Sequence, residues 1–511
     1  MSVQPEEAGA VPARPAVQVN EIAVAIRNAM RLGGSLMLTW SVALIVKFQI
    51  PHYLGPIGQG RFGFAEGFAT MFFAVIGLGI ETYVFREVPV RPAHASDFVG
   101  GVFALRGILA VLLLSAMTGT LWITGRTHEV MLASLVFGTA QLLTSLNGTL
   151  ASVLQSVTHV GRLAIANVLT KVLWGGGLLV GLYLNVPMWM LAAPMAIAEL
   201  VKLVMLMPAA SVAANLRYRI DVRATRDVLV TSFPFLVNTM AVTFGNSLAI
   251  SALEYIRRDE REVGWFAASQ NLSSLAMLLH PLLVWIVMPA LSRANARSPE
   301  ESMAILRRSI EGLIVVIAPI TTLISAGSDV FIRLAFGAKY LPANIGLSIL
   351  SLVFVMTYMN IILSSALLVR GESWMVTAIS VVSICALAVL MLVCVPLGRS
   401  LFGEGGECAG AAIGVVTSEA GVVVAMVTRF KETPMDRRNL LVLLKSIGIS
   451  VLVLVTNHQI RNLGAVRLVL DLGLYVVLAL ALGVIRKKDI GLVVQIIKER
   501  RSKPGGAAPS A

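Results

Sequence analysis

Residues 375–397 read MVTAISVVSICALAVLMLVCVPL, an apolar run without a single charged side chain. Wound as a helix, such a run crosses the ~30 Å hydrocarbon core of a bilayer, which takes roughly 20 residues at 1.5 Å each. Thirteen further runs of similar character give fourteen expected spans, near 32–51, 63–80, 99–123, 130–154, 164–184, 188–208, 228–252, 265–290, 309–326, 341–368, 375–397, 409–428, 440–457 and 467–485. A helix satisfies its own backbone hydrogen bonds, which hydrocarbon cannot do for it. The chain is therefore expected to be an all-α, multi-pass membrane protein whose work is done between its helices.

Composition agrees: of 511 residues, 57% are hydrophobic and only 14% charged, against roughly 25% charged in soluble proteins. The isoelectric point near 10 invites a nucleic-acid reading, but the placement of the bases answers it. With the N-terminus inside, the inner segments hold 26 Lys and Arg and the outer loops hold 10. That asymmetry is the positive-inside rule. It places both termini in the cytoplasm and the chain in the cytoplasmic membrane, with no nucleic-acid partner. Arg257, Arg258 and Arg261 run against the trend, beside Asp259, Glu260 and Glu262.

The expected organisation is a cytoplasmic lead and interfacial helix over 1–31, a six-helix bundle over 32–208 and a basic linker over 209–227. A second six-helix bundle follows over 228–428, then two extra spans over 429–485 and a basic tail over 486–511. Residues 1–20 are Pro/Ala-rich and read as disordered, and 21–31 as a short interfacial helix with Ile22, Ile26 and Met30 on one side. The tail either lies on an anionic leaflet or only fixes topology.

The usual catalytic signatures are missing. There is no phosphate-binding G-x-x-x-x-G-K-[ST], no H-E-x-x-H, no D-x-D and no Cys/His cluster, so no metal or cofactor is expected. Cys385 and Cys394 fill one span, and Cys408 falls in an expected outer loop. Glycines in 398–406 read as an outer turn. The longest outer loop, 327–340, is too short for an extramembrane catalytic domain. A transporter is expected rather than an enzyme.

An internal repeat is visible. Tyr53-Leu54-Gly55-Pro56-Ile57-Gly58-Gln59-Gly60-Arg61-Phe62-Gly63-Phe64-Ala65 follows span 1, and Tyr255-Ile256-Arg257-Arg258-Asp259-Glu260-Arg261-Glu262-Val263-Gly264-Trp265-Phe266-Ala267 follows span 7. Each closes a span with Tyr, turns through Gly and re-enters on an aromatic-Ala step. Transporters are often built from such repeats.

At these residues the chain resembles the polysaccharide-transporter (O-antigen and exopolysaccharide flippase) family, within the superfamily that also holds multidrug and toxin extruders and lipid II flippases. The resemblance runs from Leu54-Gly55-Pro56, Gly60, Phe62-Gly63, Gly77-Leu78-Gly79 and Arg86-Glu87 to Ser232-Phe233-Pro234-Phe235-Leu236 and Glu262 to Ala268. It continues through Met288-Pro289-Ala290-Leu291-Ser292-Arg293, Ala318-Pro319-Ile320 and Phe336-Gly337-Ala338-Lys339-Tyr340. It implies two six-helix bundles in a V around a central cavity, two flanking C-terminal helices, and flipping of an undecaprenyl-pyrophosphate-linked oligosaccharide for surface polysaccharide biosynthesis. Implied partners are that lipid-linked oligosaccharide, membrane lipids, and a polysaccharide polymerase with other assembly proteins. Where members often carry an acid midway along span 7, this chain reads Gly245-Asn246-Ser247. A cation-coupled multidrug exporter is the alternative within the superfamily.

Ionisable groups inside spans cost about 2.5–3.5 kcal/mol at the bilayer centre and point to function. Lys47 either faces the cavity or snorkels, whereas Arg106 and Lys171 lie deep enough to favour an inward role. These three are the expected partners of a pyrophosphate. Glu66 is the candidate acid, and Glu254, at the end of span 7, is either a second one or a structural group that reaches the interface. Asn238, Asn246, Gln270 and Asn271 are candidates for sugar hydroxyls or for bonds between helices, and His280 joins them as relay or glue. Glu419 needs a partner the sequence does not show. Pro234, Pro281 and Pro289 remove backbone donors and are the expected hinges.

Overall fold

The computed structural model describes residues 16–88, 94–157, 160–257, 259–275, 287, 291, 293–295, 297–430 and 432–485. These form helices and no strand. In order they are α1 (Ala16–Phe72), α2 (Ile80–Glu87), α3 (Ala95–Ile123), α4 (His128–Ser156), α5 (Val160–Tyr183), α6 (Met188–Ala213), α7 (Val222–Arg257) and α8 (Glu260–Ser273). After the segment around 276–298 come α9 (Pro299–Ala326), α10 (Ser328–Phe336), α11 (Ala343–Leu350), α12 (Val353–Val369), α13 (Ser373–Phe402), α14 (Gly406–Val427), α15 (Arg437–Gln459) and α16 (Arg467–Ala481).

Among the described residues, ten spans are long and apolar enough to cross a membrane, and a bent pair in α7 makes an eleventh. All ten overlap expected spans one to one; one of them, Ala343–Val369, joins α11 to α12 across a turn at Ser351 and Leu352. The first two expected spans both fall on α1, the second continuing past Phe72 through a 3-10 turn to the start of α2 at Ile80. The eighth begins on α8, and its part from 276 lies outside the described residues apart from position 287.

Several expectations are corrected. Of the stretch 1–31, the described part, from Ala16, belongs to α1, which runs into span 1 without a break. The expected outer loop 327–340 carries helix α10, with Ile332 and Phe336 buried. Cys408 is not in a loop: α14 has already begun at Gly406, and the thiol is fully buried. The expected single helix of span 2 is broken. The stretch after Gly55 ends at Phe72, a tight 3-10 turn covers Phe73–Gly77, and Leu78 and Gly79 adopt φ of 55° and 67° before α2 starts. At Gly55 itself, φ 65° and ψ 178° split α1 just ahead of Pro56.

The helices group into two compact units that cut across the linear order. The first comprises residues up to Val46, Ile76–Ser115 and Val136–Phe235; the second takes Lys47–Val75, Ala116–Leu135 and everything from Leu236. In the first, Tyr83, Phe98, Val99 and Val102 form one buried cluster with Leu216 and Val228, and Leu150, Leu154, Leu163 and Leu206 form another. Helices α5 and α6 pack through Gly177, where a Cβ would lie 2.9 Å from the Pro194 ring.

In the second unit, α13 and α14 touch backbone to backbone. A Cβ at Gly410 would stand 2.1 Å from the Cys394 carbonyl oxygen and one at Gly398 2.2 Å from that of Gly406. Small residues at such contacts let membrane helices gain dispersion energy that lipid would otherwise supply. Helices α15 and α16 dock on α9. Arg438 pairs with Glu311, Asn439 donates to Arg307 O at 3.1 Å, and the Thr322 and Ser450 hydroxyls bond at 2.7 Å. Asn457 donates to buried Asp471 at 2.5 Å.

Glu262, just ahead of the eighth expected span, caps α14 from another helix. Its carboxylate accepts from the Gly405 and Cys408 N–H groups at 2.8 and 2.9 Å and from Arg399 at 3.2 Å. The unpaired N–H groups and positive end of a helix favour an anion there. Burial nonetheless pushes this carboxyl up to about 7, outweighing the two backbone bonds, with nearby Glu407 and Asp259 acting in the same direction as burial. A carboxyl raised in the folded state contributes stability that is complete below its ordinary value and lost as pH rises through the folded one. The melting temperature should therefore fall as pH rises from 4.5 to beyond 7, and Glu262→Gln should flatten that fall in a thermal-shift series. Parallel curves for the two proteins would show that Glu262 does not titrate in this range.

Candidate functional site

The break in span 2 interrupts the helical ladder inside the membrane, where freed carbonyls need partners. In the first unit, side chains supply them. Arg106 Nη2 donates to Gly77 O at 2.8 Å, and Ser232 Oγ donates to Leu78 O at 3.0 Å. Arg106 Nη1 also donates to Ser145 O at 2.5 Å and Thr149 Oγ1 at 2.8 Å. Arg106 has no exposed surface, so in this conformation its guanidinium belongs to the scaffold.

Glu81, on the first turn of α2, rests its carboxylate against Gly148, where a Cβ would meet Oε1 at 1.9 Å. Arg106 and Lys202 lie close enough to act on it electrostatically. Beside them, Asn147 Nδ2 donates to both the carbonyl and the carboxylate of Glu199 at 2.8 Å.

The remaining candidates are spread over both units. Lys171, in the first, is half-buried with its ammonium 4.9 Å from the centre of the Trp174 ring, a cation–π contact. In the second unit, Lys47 is half-buried, Glu66 is exposed, and Gln270 and Asn271 are half-buried on α8. Asn238 and Asn246 sit on α7. Segments Val222–Phe233 and Phe235–Gly245 of that helix meet at a 58° bend, with Pro234 between them. His280, Pro281 and Pro289 lie outside the described residues. Glu419 finds its partner in Asn360, which donates at 2.5 Å. Lys445 donates to Leu482 O at 2.8 Å.

A second polar cluster, in the second unit, joins residues that the sequence does not connect. Arg126, in the turn between α3 and α4, pairs with Glu254 near the end of α7. Its guanidinium carbon lies 4.9 Å from the ring centres of both Phe64 and Tyr255. Arg61 Nε bonds Glu260 Oε1 at 2.8 Å. Arg61, Thr124, Arg126, Glu254 and Glu260 help to line a cavity of about 170 Å³. By position, Arg126 reads as an ordinary loop base and Glu254 as a span-end acid. The available signal was the repeat, which carries Phe64 in one copy and Tyr255 in the other.

Comparison with solved structures gives three informative likenesses. A lipid II flippase MurJ in an inward closed conformation is 12% identical, covers 91% of this chain and 99% of its own, and superposes with a TM-score of 0.66. An inward-facing multidrug resistance MATE transporter of the MOP superfamily is 15% identical over 79% of this chain and 98% of its own, with a TM-score of 0.60. A mutant MATE transporter of Vibrio cholerae is 15% identical over 79% and 97%, at 0.54. The chain thus has the fold of MOP-superfamily transporters. No protein-family model matches the sequence, and comparison with curated proteins gives no match.

If Arg106 holds the break together, its loss leaves buried acceptors unpaired, at about 1–3 kcal/mol each. Arg106→Gln and Arg106→Lys should both lower the melting temperature clearly, since neither side chain can reach three acceptors with the guanidinium's fork. Ser232→Ala should cost less, and Lys47→Gln should melt like wild type. Equal melting of all four proteins would refute the bracing role.

Proposed function

We propose that the chain is a flippase that carries a polyprenyl-pyrophosphate-linked oligosaccharide from the cytoplasmic to the outer leaflet of the cytoplasmic membrane, for surface polysaccharide biosynthesis. The observation that carries this reading is the reach of the structural likeness: 91% of the chain for the lipid II flippase against 79% for the MATE transporters. The proposal includes fourteen spans with both termini cytoplasmic, as the distribution of bases implies. The docked pair α15 and α16 supplies the last two spans.

Sugar hydroxyls resist desolvation in hydrocarbon, so the head group needs a polar route while the polyprenyl tail remains in lipid. Lys47 and Lys171 are the proposed cations for the pyrophosphate, each on a span and each partly accessible. Arg106 serves the same route by bracing the broken span. Asn238, Asn246, Gln270, Asn271 and His280 are proposed to exchange hydrogen bonds with sugar hydroxyls, and Pro234, Pro281 and Pro289 to let spans 7 and 8 bend. A polymerase and other assembly proteins would take the product.

The multidrug-exporter reading keeps one specific point in its favour, the exposed acid Glu66. Proteoliposomes decide between the two. Wild-type protein should move a pyrophosphate-linked oligosaccharide lipid across the bilayer, and Lys47→Gln and Lys171→Gln should each slow it at least tenfold at equal protein content. Full rates in both variants would remove these lysines from the route. Export of organic cations, abolished by Glu66→Gln, with no lipid movement would establish the exporter instead.

A further inference from the structure

The basic linker between α6 and α7 is fastened to the start of α3, all within the first unit. Ser96 Oγ donates to Asn215 O at 3.2 Å and accepts from the Arg217 N–H at 3.1 Å. A Cβ at Gly100 would stand 2.3 Å from Arg219 O, and one at Gly101 2.0 Å from Thr225 Oγ1. The linker backbone and the first turn of α7 therefore press directly on α3. Tyr218 turns inward: its hydroxyl donates to Met207 O at 3.1 Å, and its ring centre lies 6.0 Å from that of Phe103. Asp221 then caps α7, its carboxylate accepting from the Arg223 and Ala224 N–H groups at 2.8 and 3.1 Å.

With the backbone held in this way, Arg217, Arg219, Arg223 and Arg226 are all exposed. None of the four forms an ion pair among the described residues. Two acids sit among them: Asp221 is occupied with its cap, and Asp227 is exposed. On α7, Val222, Arg226, Val230 and Phe233 share one helical face and are exposed, whereas Thr225, Val228 and Ser232 are buried on the other. Charge comes first along that face and apolar side chains follow, Val230 standing one turn, about 6 Å, beyond Arg226. We propose that this surface holds the headgroups of anionic phospholipids in the cytoplasmic leaflet, with the four arginines at phosphate level and Val230 and Phe233 against the acyl chains. The inference rests on the reading of the chain as a transporter whose linker is cytoplasmic, but its readout is lipid binding and does not depend on the cargo.

Three features separate a lipid surface from a solvated basic loop. First, every cation in the stretch from 217 to 226 is arginine, whose planar fork can make two parallel bonds to one phosphate. Second, exposed Ile220 and Val222 lie between the arginines. A solvated face has no use for them, and a free phosphate would gain nothing from them, whereas the boundary between headgroups and acyl chains takes both kinds of side chain. Third, the linker is already ordered by Ser96, Tyr218 and Asp221. Binding a headgroup therefore orders side chains but no backbone, which lowers its entropic cost. Cations next to a span attract anionic lipid over about a Debye length.

The test titrates purified full-length protein in neutral detergent with phosphatidylglycerol, phosphatidylcholine or inorganic phosphate. Bound lipid is read by native mass spectrometry and stabilisation by melting temperature. Wild-type protein should retain phosphatidylglycerol roughly tenfold more tightly than phosphatidylcholine and be stabilised by it, both effects shrinking as salt rises. Replacing Arg217, Arg219, Arg223 and Arg226 together with Gln should remove most of that preference. Replacing only Arg217 and Arg219, or only Arg223 and Arg226, should each remove part of it. Gln at Arg261, Arg333, Lys339 and Arg461, exposed cations outside the linker, removes the same charge and should leave the preference within about twofold of wild type. An unchanged preference in the linker variants, or an equal loss in the control, would overturn the surface. Stabilisation by inorganic phosphate as strong as that by phosphatidylglycerol would overturn the lipid assignment in favour of a free-anion site. A preference that depends on the linker arginines, in a protein that moves no lipid-linked oligosaccharide, would support the surface and count against the flippase reading.

Discussion

The hydrogen bond from Arg106 to the Gly77 carbonyl is the interaction on which the first unit depends. Hydrocarbon offers no partner to a carbonyl released from a helix, so a broken span persists only if side chains complete its ladder. Arg106 from α3 and Ser232 from α7 do so from two different helices. Through its other bonds Arg106 also reaches α4 at Ser145 and Thr149. One buried cation thereby fixes the break and ties the helices around it, and the new helix start places Glu81 against Gly148.

The second unit solves a different problem with a different material. Its contacts are built from glycine: Gly398 and Gly410 between α13 and α14, Gly60 and Gly264 between α1 and α8. Lipid tails are as apolar as leucine, so membrane helices gain little from burying leucine alone and more from close backbone approach and shared hydrogen bonds. The polar contacts follow the same logic: Glu262 caps α14, Asn360 meets Glu419, and Asn457 meets Asp471. Each joins groups far too polar to face lipid.

The spans were legible because crossing a bilayer is a requirement on length and hydropathy, both local properties of the chain. The direction of a buried charge is not local. Arg106 was recognisably too deep for lipid, yet whether it faced a cargo route or a broken helix depended on a kink at Leu78 and Gly79 that an apolar run does not advertise. Cys408 was misplaced because the glycines before it look like loop, whereas Gly405 starts a helix there with φ 77°. The repeat was visible as two similar turns, but similarity does not reveal that the copies touch. The Arg126–Glu254 pair joins residues 128 positions apart, a separation that only packing can close.

The flippase proposal requires that the chain's cations recognise a pyrophosphate-bearing lipid. The most direct measurement is equilibrium binding to purified protein in nanodiscs, comparing a polyprenyl-pyrophosphate-linked oligosaccharide, its monophosphate counterpart and an organic cation. A flippase of this kind should bind the pyrophosphate lipid most tightly, the monophosphate at least tenfold more weakly, and the cation not at all. Equal affinity for all three, or preference for the cation, would contradict it.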